Sequence, residues 1–197
     1  MRSATVLAAL ARRLNREAGS PPLPALYFFT DPQRTPDPAA IAATLPRGTA
    51  IVYRHFGADE RVRIARDLRR VARARDLPLL IAADPELARR VGADGVHWPE
   101  RLLGSAHQRH GITLAAAHSA RAVERAAALG ADACVLAPVF QTNSASGNAP
   151  LGLIRASRIA RNAPLPIIAL GGVNTQTAER LPGRGFAGCA AVEALIA

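Results

Sequence analysis

Short apolar runs recur along the chain, separated by stretches with helical spacing. Residues 26–29, 50–53, 79–83, 95–98, 112–117, 133–137, 167–170 and 188–192 are apolar or small apart from His97 and Thr113, with no polar alternation. An unbroken apolar run suits a strand buried on both faces, the condition of a parallel sheet. Between the runs lie helix signals. Asp37-Pro38 and Asp84-Pro85 each pair an N-cap with proline at the first helical position, and Gly92 closes the second of these helices. Ser119 caps 120–129, with Gly130 behind it. Residues 152–161 supply another helix, Asn174 caps one from Thr175, and a last short one starts at Glu193. Ala8, Leu10, Ala11 and Leu14 share one helical face near the N-terminus. Eight strand-then-helix units favour a closed (β/α)8 TIM barrel over an open sheet. The expected organisation is one barrel domain over 1–197, with an N-terminal helix in 1–19 packed on it.

Composition refines this picture. With 197 residues, 49% of them hydrophobic, the chain is long enough for a sizeable core. It is shorter than the typical barrel of about 250 residues, so its loops must be tight. No stretch of eighteen apolar residues is present, and the N-terminus does not read as a signal peptide, so a cytoplasmic location is expected. Cys134 and Cys189 sit in strand-like runs and read as small buried hydrophobes. The net charge of +10 raises nucleic-acid binding as a reading. Every basic residue is arginine, and seven of them (Arg61, Arg63, Arg66, Arg69, Arg70, Arg73 and Arg75) share one helix with the apolar face Ile64, Leu68 and Val71. That is the pattern of a solvated helix face. Aromatics make up only 4%, which leaves no platform for stacked bases. Nucleic acid is therefore not an expected partner.

In a barrel of this kind, chemistry sits on the loops that follow the strands. Gly171 and Gly172 follow the seventh strand and precede Asn174 at a helix start, an arrangement that suits either a bound phosphate or a tight turn. His118 ends the fifth strand, as an acid or base at the mouth or as a packed strand-end histidine. Arg54 ends the second strand, to hold a phosphate or to form a rim ion pair. Asp84 has the position of a metal ligand, but the Asp84-Pro85 pair reads better as a cap. His97 with Trp98 reads as a packed pair, and His55 points to the face opposite Arg54. His107 and His110 fall outside the site.

Taken together, several segments resemble the thiamine-phosphate synthase family, including its thiazole tautomerase branch, from about Leu26 to Leu195. They are Leu26-Tyr27 with Thr30-Asp31, Gly92 through His97, Ala117-His118-Ser119, Gly130-Ala131-Asp132, Pro138-Val139-Phe140 with Thr142, Ile168 through Val173, and Gly185 through Ala194. The resemblance implies binding of a small heterocyclic phosphate in thiamine biosynthesis, with a magnesium-assisted synthase reaction that expels pyrophosphate. It also implies departures. Of the Gln-x-Arg-x-Lys pattern after strand two only Arg54 survives, between Val52 and Phe56. The Asn-Asp slots after strand three hold Ala82 and Ala83, with Asp84 one position late. Glu100 alone lies near the second metal aspartate. Ala145 fills the lysine slot of the loop after strand six, and Glu193 replaces a serine near the phosphate. The surviving set fits the tautomerase branch better, which needs no metal and uses a histidine in the His118 slot. The resemblance thus implies His118 as catalytic residue and Arg54, Thr142, Gly171, Gly172, Val192 and Glu193 as substrate and phosphate contacts. Tyr27, Asp84 and Asn143 are further candidates, and no cofactor or resident metal is expected. The expected partners are a small phosphate ester and, for assembly, a second copy of the chain, with no membrane. A non-catalytic metabolite-binding relative is the alternative.

Overall fold

A computed structural model describes residues 2–57, 59–104, 110–142 and 149–196. Eight parallel strands close into one barrel in sequence order. They are β1 (Leu26–Phe29), β2 (Ala50–Tyr53), β3 (Leu79–Ala82), β4 (Gly95–Trp98), β5 (Ile112–Ala117), β6 (Ala133–Leu136), β7 (Ile167–Ala169) and β8 (Phe186–Ala191). Pairing of Leu26, Tyr27 and Phe28 with Cys189, Ala190 and Ala191 closes the ring. The helices are α1 (Arg2–Glu17), α2 (Pro38–Ala42), α3 (Arg61–Arg75), α4 (Pro85–Val91), α5 (Ala120–Ala128), α6 (Leu153–Asn162) and α7 (Thr175–Ala178).

The apolar runs work because each strand feeds two cores. Tyr27, Phe29, Val52, Leu80, Leu114, Val135 and Ile168 fill the barrel interior. Their alternating neighbours Leu26, Phe28, Ile51, Tyr53, Leu79 and Ile81 face the surrounding helices. Leu7, Ala11 and Leu14 of α1 belong to this outer core, and α1 lies against β8. Both cysteines are buried and unpaired, and burial pushes both thiols up to about 12. They are neutral and inert at physiological pH.

The caps fall where the sequence puts them. Asp37 accepts from the Ala40 N–H, Asp84 from Leu87, Ser119 from Ala122 and Asn174 from Thr177. Two expectations change. Among the described residues, the connection after β4 contains a single 3₁₀ turn, Glu100–Leu102, and the segment after β8 another, Glu193–Leu195. The arginines of α3 are also not one solvated face. Arg61 donates to the carbonyls of His55 and Ala82, Arg69 pairs with Asp94, and Arg75 donates to the Leu45 carbonyl. A guanidinium reaches past its apolar stem to tie loops together, and helical periodicity carries no sign of that.

Candidate functional site

The C-terminal ends of the strands surround a cavity of about 800 Å³. Its floor is the top of the barrel interior: Phe29, His97, Val135 and Ala190. Its walls are the loops after β2, β5, β6, β7 and β8. His118, Arg54, Thr142, Gly171, Gly172, Val192 and Glu193 all line it. Asn143 lies outside the described residues, as does His107.

Arg54 is the most firmly placed cation. Its backbone N–H donates to Thr30 Oγ1 at 2.9 Å and its Nε to the Thr30 carbonyl at 3.0 Å. Its guanidinium lies 5.1 Å from the Phe29 ring centroid, and that ring meets His97 edge-on at 5.2 Å. Burial pulls the Arg54 pKa down, and the like charge of Arg34 adds to this while Asp31 opposes it. A guanidinium remains charged despite such a shift.

His97 is not simply packed. It is buried yet borders the cavity, and its Nδ1 has no partner among the described residues. Burial, with Arg54 nearby, pushes its pKa down to about 3, so the ring is neutral at physiological pH. The unfolded value is about 6.5. Between those values the unfolded chain binds the extra proton, so stability falls as pH drops from about 6.5 toward 3. Each pH unit inside that window costs about 1.4 kcal/mol through this residue. Urea unfolding of His97→Gln should therefore show a flatter dependence between pH 6.5 and 4 than the unmodified chain. Equal slopes would refute the buried neutral imidazole.

His118 follows β5 directly and is 44% exposed. Its Nδ1 lies 2.7 Å from Glu100 Oε2, and its backbone N–H donates to the same oxygen at 2.9 Å. Glu100 was visible in the sequence only as a poor stand-in for a metal ligand. Nothing in residue spacing reveals this pairing, because it depends on the register between β4 and β5.

Gly171 and Gly172 have φ of 92° and 64°. A Cβ on Gly171 would come within 2.5 Å of Pro138 Cβ, and one on Gly172 within 2.2 Å of the Gln141 carbonyl oxygen. The loop after β7 is thus pressed against the loop after β6, and only glycine fits there. The short helix beyond is already capped: Asn174 accepts from the Thr177 N–H, and Thr177 Oγ1 accepts from the Asn174 N–H.

Arg34 and Arg180 also line the cavity, and sequence reasoning missed both. Arg34 pairs with Asp31 at 2.9 Å and with Glu193 at 3.5 Å. The bond to Arg34 holds the Asp31 carboxyl below the usual carboxylate range. The Asp31/Arg34 spacing of three is a visible signal for that turn. Glu193 is accordingly not an isolated anion facing a phosphate. Arg180 lies 5.5 Å from the Phe140 ring centroid.

Two candidates fall away. Tyr27 is fully buried in the barrel interior and does not reach the cavity. Burial raises its hydroxyl above the ordinary range, and the next influence is Asp132 at the opposite end of the barrel, ahead of β6. Asp84 is a cap: it accepts from the Leu87 N–H at 2.8 Å, and its other oxygen faces Arg61 Nε at 3.7 Å. His55 turns away from the cavity to pack on Tyr53.

The family's magnesium does not suit the groups present. Mg²⁺ requires near-octahedral oxygen ligation. The Asp84 carboxylate is committed to the α4 cap, and Glu100 to His118. No group of three or more His, Cys, Asp or Glu residues among those described is placed to hold a metal. Ala83, in the stretch where the resemblance implies an Asn-Asp pair, has φ of 55°. Left-handed backbone costs an ordinary L-residue about 1–2 kcal/mol and is eased by Gly, Asn or Asp. Ala83→Gly should stabilise the fold, by at most about 1 kcal/mol after glycine's own entropy cost. Thermal unfolding would register a rise of up to about 4 °C, and a fall would argue against strain.

Residues 26–195 match the family described as thiamine monophosphate synthase. The chain belongs to that family. It is 38% identical over 173 residues to a thiamine-phosphate synthase of Marinobacter nauticus, covering 80% of this chain and 76% of the relative. A thiamine-phosphate synthase of Chloroflexus aurantiacus is 30% identical over 172 residues, covering 81% and 77%. Among solved structures, the thiamine phosphate pyrophosphorylase of Pyrococcus furiosus superposes with a TM-score of 0.73 at 27% identity, over 87% of each chain. FabK of Thermotoga maritima, at 14% identity and a TM-score of 0.64, covers 93% of this chain and 62% of its own, and shares the fold alone.

Proposed function

We propose that this thiamine-phosphate synthase relative acts in thiamine biosynthesis, binding a thiazole phosphate carboxylate at the barrel mouth. There it moves a proton within the ring system through His118. The observation that carries the reading is the imidazole itself, placed at a cavity whose lining supplies Arg34, Arg54 and Arg180. About 800 Å³ is ample for a small heterocycle bearing phosphate. Three guanidiniums favour a polyanionic ligand. In this reading Arg54 and Arg180 face the anionic groups, and the tight loops at Gly171-Gly172 and Val192 let a phosphate approach the backbone. Because the capping box already takes donors at the start of α7, the arginines carry the larger share. His118 accepts a proton at one ring position and returns it at another, so no atom is lost and no cation is required.

The synthase reaction is the second reading, favoured by family membership and by the names of the relatives. One experiment tests the first reading: incubate the protein with either tautomer of the thiazole phosphate carboxylate, without metal, and follow conversion or deuterium uptake from D₂O. Conversion supports the isomerase. Absence of exchange with tight binding would instead mark a non-catalytic binding relative. A related test concerns Glu193. Glu193→Ser removes a negative charge and releases Arg34 to the ligand, so inorganic phosphate should bind several-fold more tightly by calorimetric titration. Weaker binding would show that Glu193 holds Arg34 in its binding position.

A further inference from the structure

We propose that Glu100 is the positioning residue of His118, fixing the ring orientation and the nitrogen that carries the proton. The turnover arm of this inference rests on the proton-transfer reading above; the structural arm does not. Glu100 opens the 3₁₀ turn after β4, and His118 follows β5. The two strands are neighbours, with Trp98 opposite Ala115, so both residues rise from adjacent strand ends. One carboxylate oxygen, Oε2, receives both the backbone N–H of His118 at 2.9 Å and the ring Nδ1 at 2.7 Å. An ionised carboxylate only accepts hydrogen bonds, so Nδ1 must carry the hydrogen. Nε2 is then the lone-pair nitrogen, and no described residue engages it. The residue lines the cavity, so the basic nitrogen is the one left for a ligand. The bond to the backbone matters as much as the bond to the ring. It anchors the carboxylate on the same residue whose side chain it orients, so the imidazole cannot swing away without breaking a clamp.

Magnitude decides what this contact contributes. The side chains are 44% and 36% exposed, so solvent screens their charge attraction. What survives screening is geometry: one tautomer and one ring plane. Partners behind metal-bound histidines matter about 10- to 100-fold in activity, and an effect of that order is expected here.

The test uses the full chain labelled with ¹⁵N, at a pH where the imidazole is neutral. Side-chain ¹⁵N NMR identifies the protonated ring nitrogen, with His118 assigned by loss of its signals in His118→Gln. The expected result is a proton on Nδ1 in the unmodified chain. Glu100→Ala should move it to Nε2 or average the two. Glu100→Gln should keep it on Nδ1, since the amide carbonyl still accepts, and this variant also guards against a folding defect in the alanine form. In turnover, Glu100→Ala should lower kcat about 10- to 100-fold with KM within about twofold, and Glu100→Gln should recover most of the loss. The double variant Glu100→Ala/His118→Gln should be no slower than His118→Gln alone. A proton on Nε2 in the unmodified chain, or an unchanged tautomer in Glu100→Ala, overturns the assignment. If the unmodified chain converts no thiazole phosphate, the proton-transfer reading fails, and the tautomer measurement still decides the role of Glu100.

Discussion

If the protein carries the proposed isomerase activity, His118→Ala should lower its turnover by about 100- to 10,000-fold while affinity for the thiazole phosphate carboxylate stays within a few-fold. This is the range a single proton shuttle contributes. The argument begins with what else lies within reach. There is no lysine in the chain, and both cysteines are buried away from the mouth. Tyr27 is sealed in the barrel interior, and Asp84 is spent on a helix cap. His97 borders the cavity, but its pKa, pushed down to about 3, leaves it a poor base at neutral pH. His118 combines a place on the cavity wall, a partner on Nδ1 and an unengaged Nε2. Binding, by contrast, should rest mainly on Arg54 and Arg180, which the substitution does not touch. His118→Gln should behave like the alanine variant, since it keeps polarity and loses the titratable proton. Steady-state kinetics beside calorimetric binding separates the two effects. Full turnover in both variants would make the histidine a packing residue.

How the site relates to the sequence follows from which forces act locally. The strands were legible because a parallel barrel buries both faces, so each strand appears as an unbroken apolar run. The caps at Asp37, Asp84, Ser119 and Asn174 were legible because capping is settled within three residues. His118, Arg54, Gly171 and Gly172 could be placed at the mouth because strand ends fix which end of a barrel a residue occupies. Depth was not legible. Tyr27 is the second residue of a strand whose last residue, Phe29, reaches the cavity floor, and two residues along a strand separate interior from mouth. Contacts across strands were not legible either. The pairing of Glu100 with His118 spans 18 residues, and the use of Arg61 to bind the Ala82 carbonyl spans 21. Both depend on sheet register and helix placement, which single-residue patterns do not encode. Arg34 shows the middle case, since its turn with Asp31 is local but its reach to Glu193 joins β1 to β8.

Purified protein given the two synthase substrates and magnesium should form thiamine phosphate at least about 10,000-fold more slowly than a typical family synthase. Loss of the diphosphate concentrates negative charge on the leaving oxygens, and the barrier falls only if cations meet it there. The family pattern supplies lysines and metal carboxylates for this purpose. By the resemblance, Phe56 and Ala145 stand where that pattern has lysines, and Ala82 and Ala83 where it has Asn-Asp. Phe56 is 53% exposed and stacks near the Arg61 guanidinium, so its slot offers no charge to the cavity. The carboxylates that remain, Asp84 and Glu100, are held by the α4 cap and by His118. Removing one preorganised electrostatic group commonly costs about 100- to 1,000-fold, and at least two independent ones are missing. The arginines do not make up the difference, because Arg34 is shared between Asp31 and Glu193, and in the reading above Arg54 and Arg180 already hold the substrate's own anionic groups. A coupled assay for pyrophosphate release measures the rate, and complementation of a synthase-deficient strain at normal expression gives the same answer in cells. Growth rescue would mean that arginines alone can carry the leaving diphosphate, and the assignment of Ala82, Ala83, Phe56 and Ala145 as disabling would be wrong. The restoring set Ala83→Asp with Phe56→Lys then provides the converse: if the departures are what silence the reaction, these two changes should raise pyrophosphate release above that of the unmodified chain, with the gain dependent on magnesium.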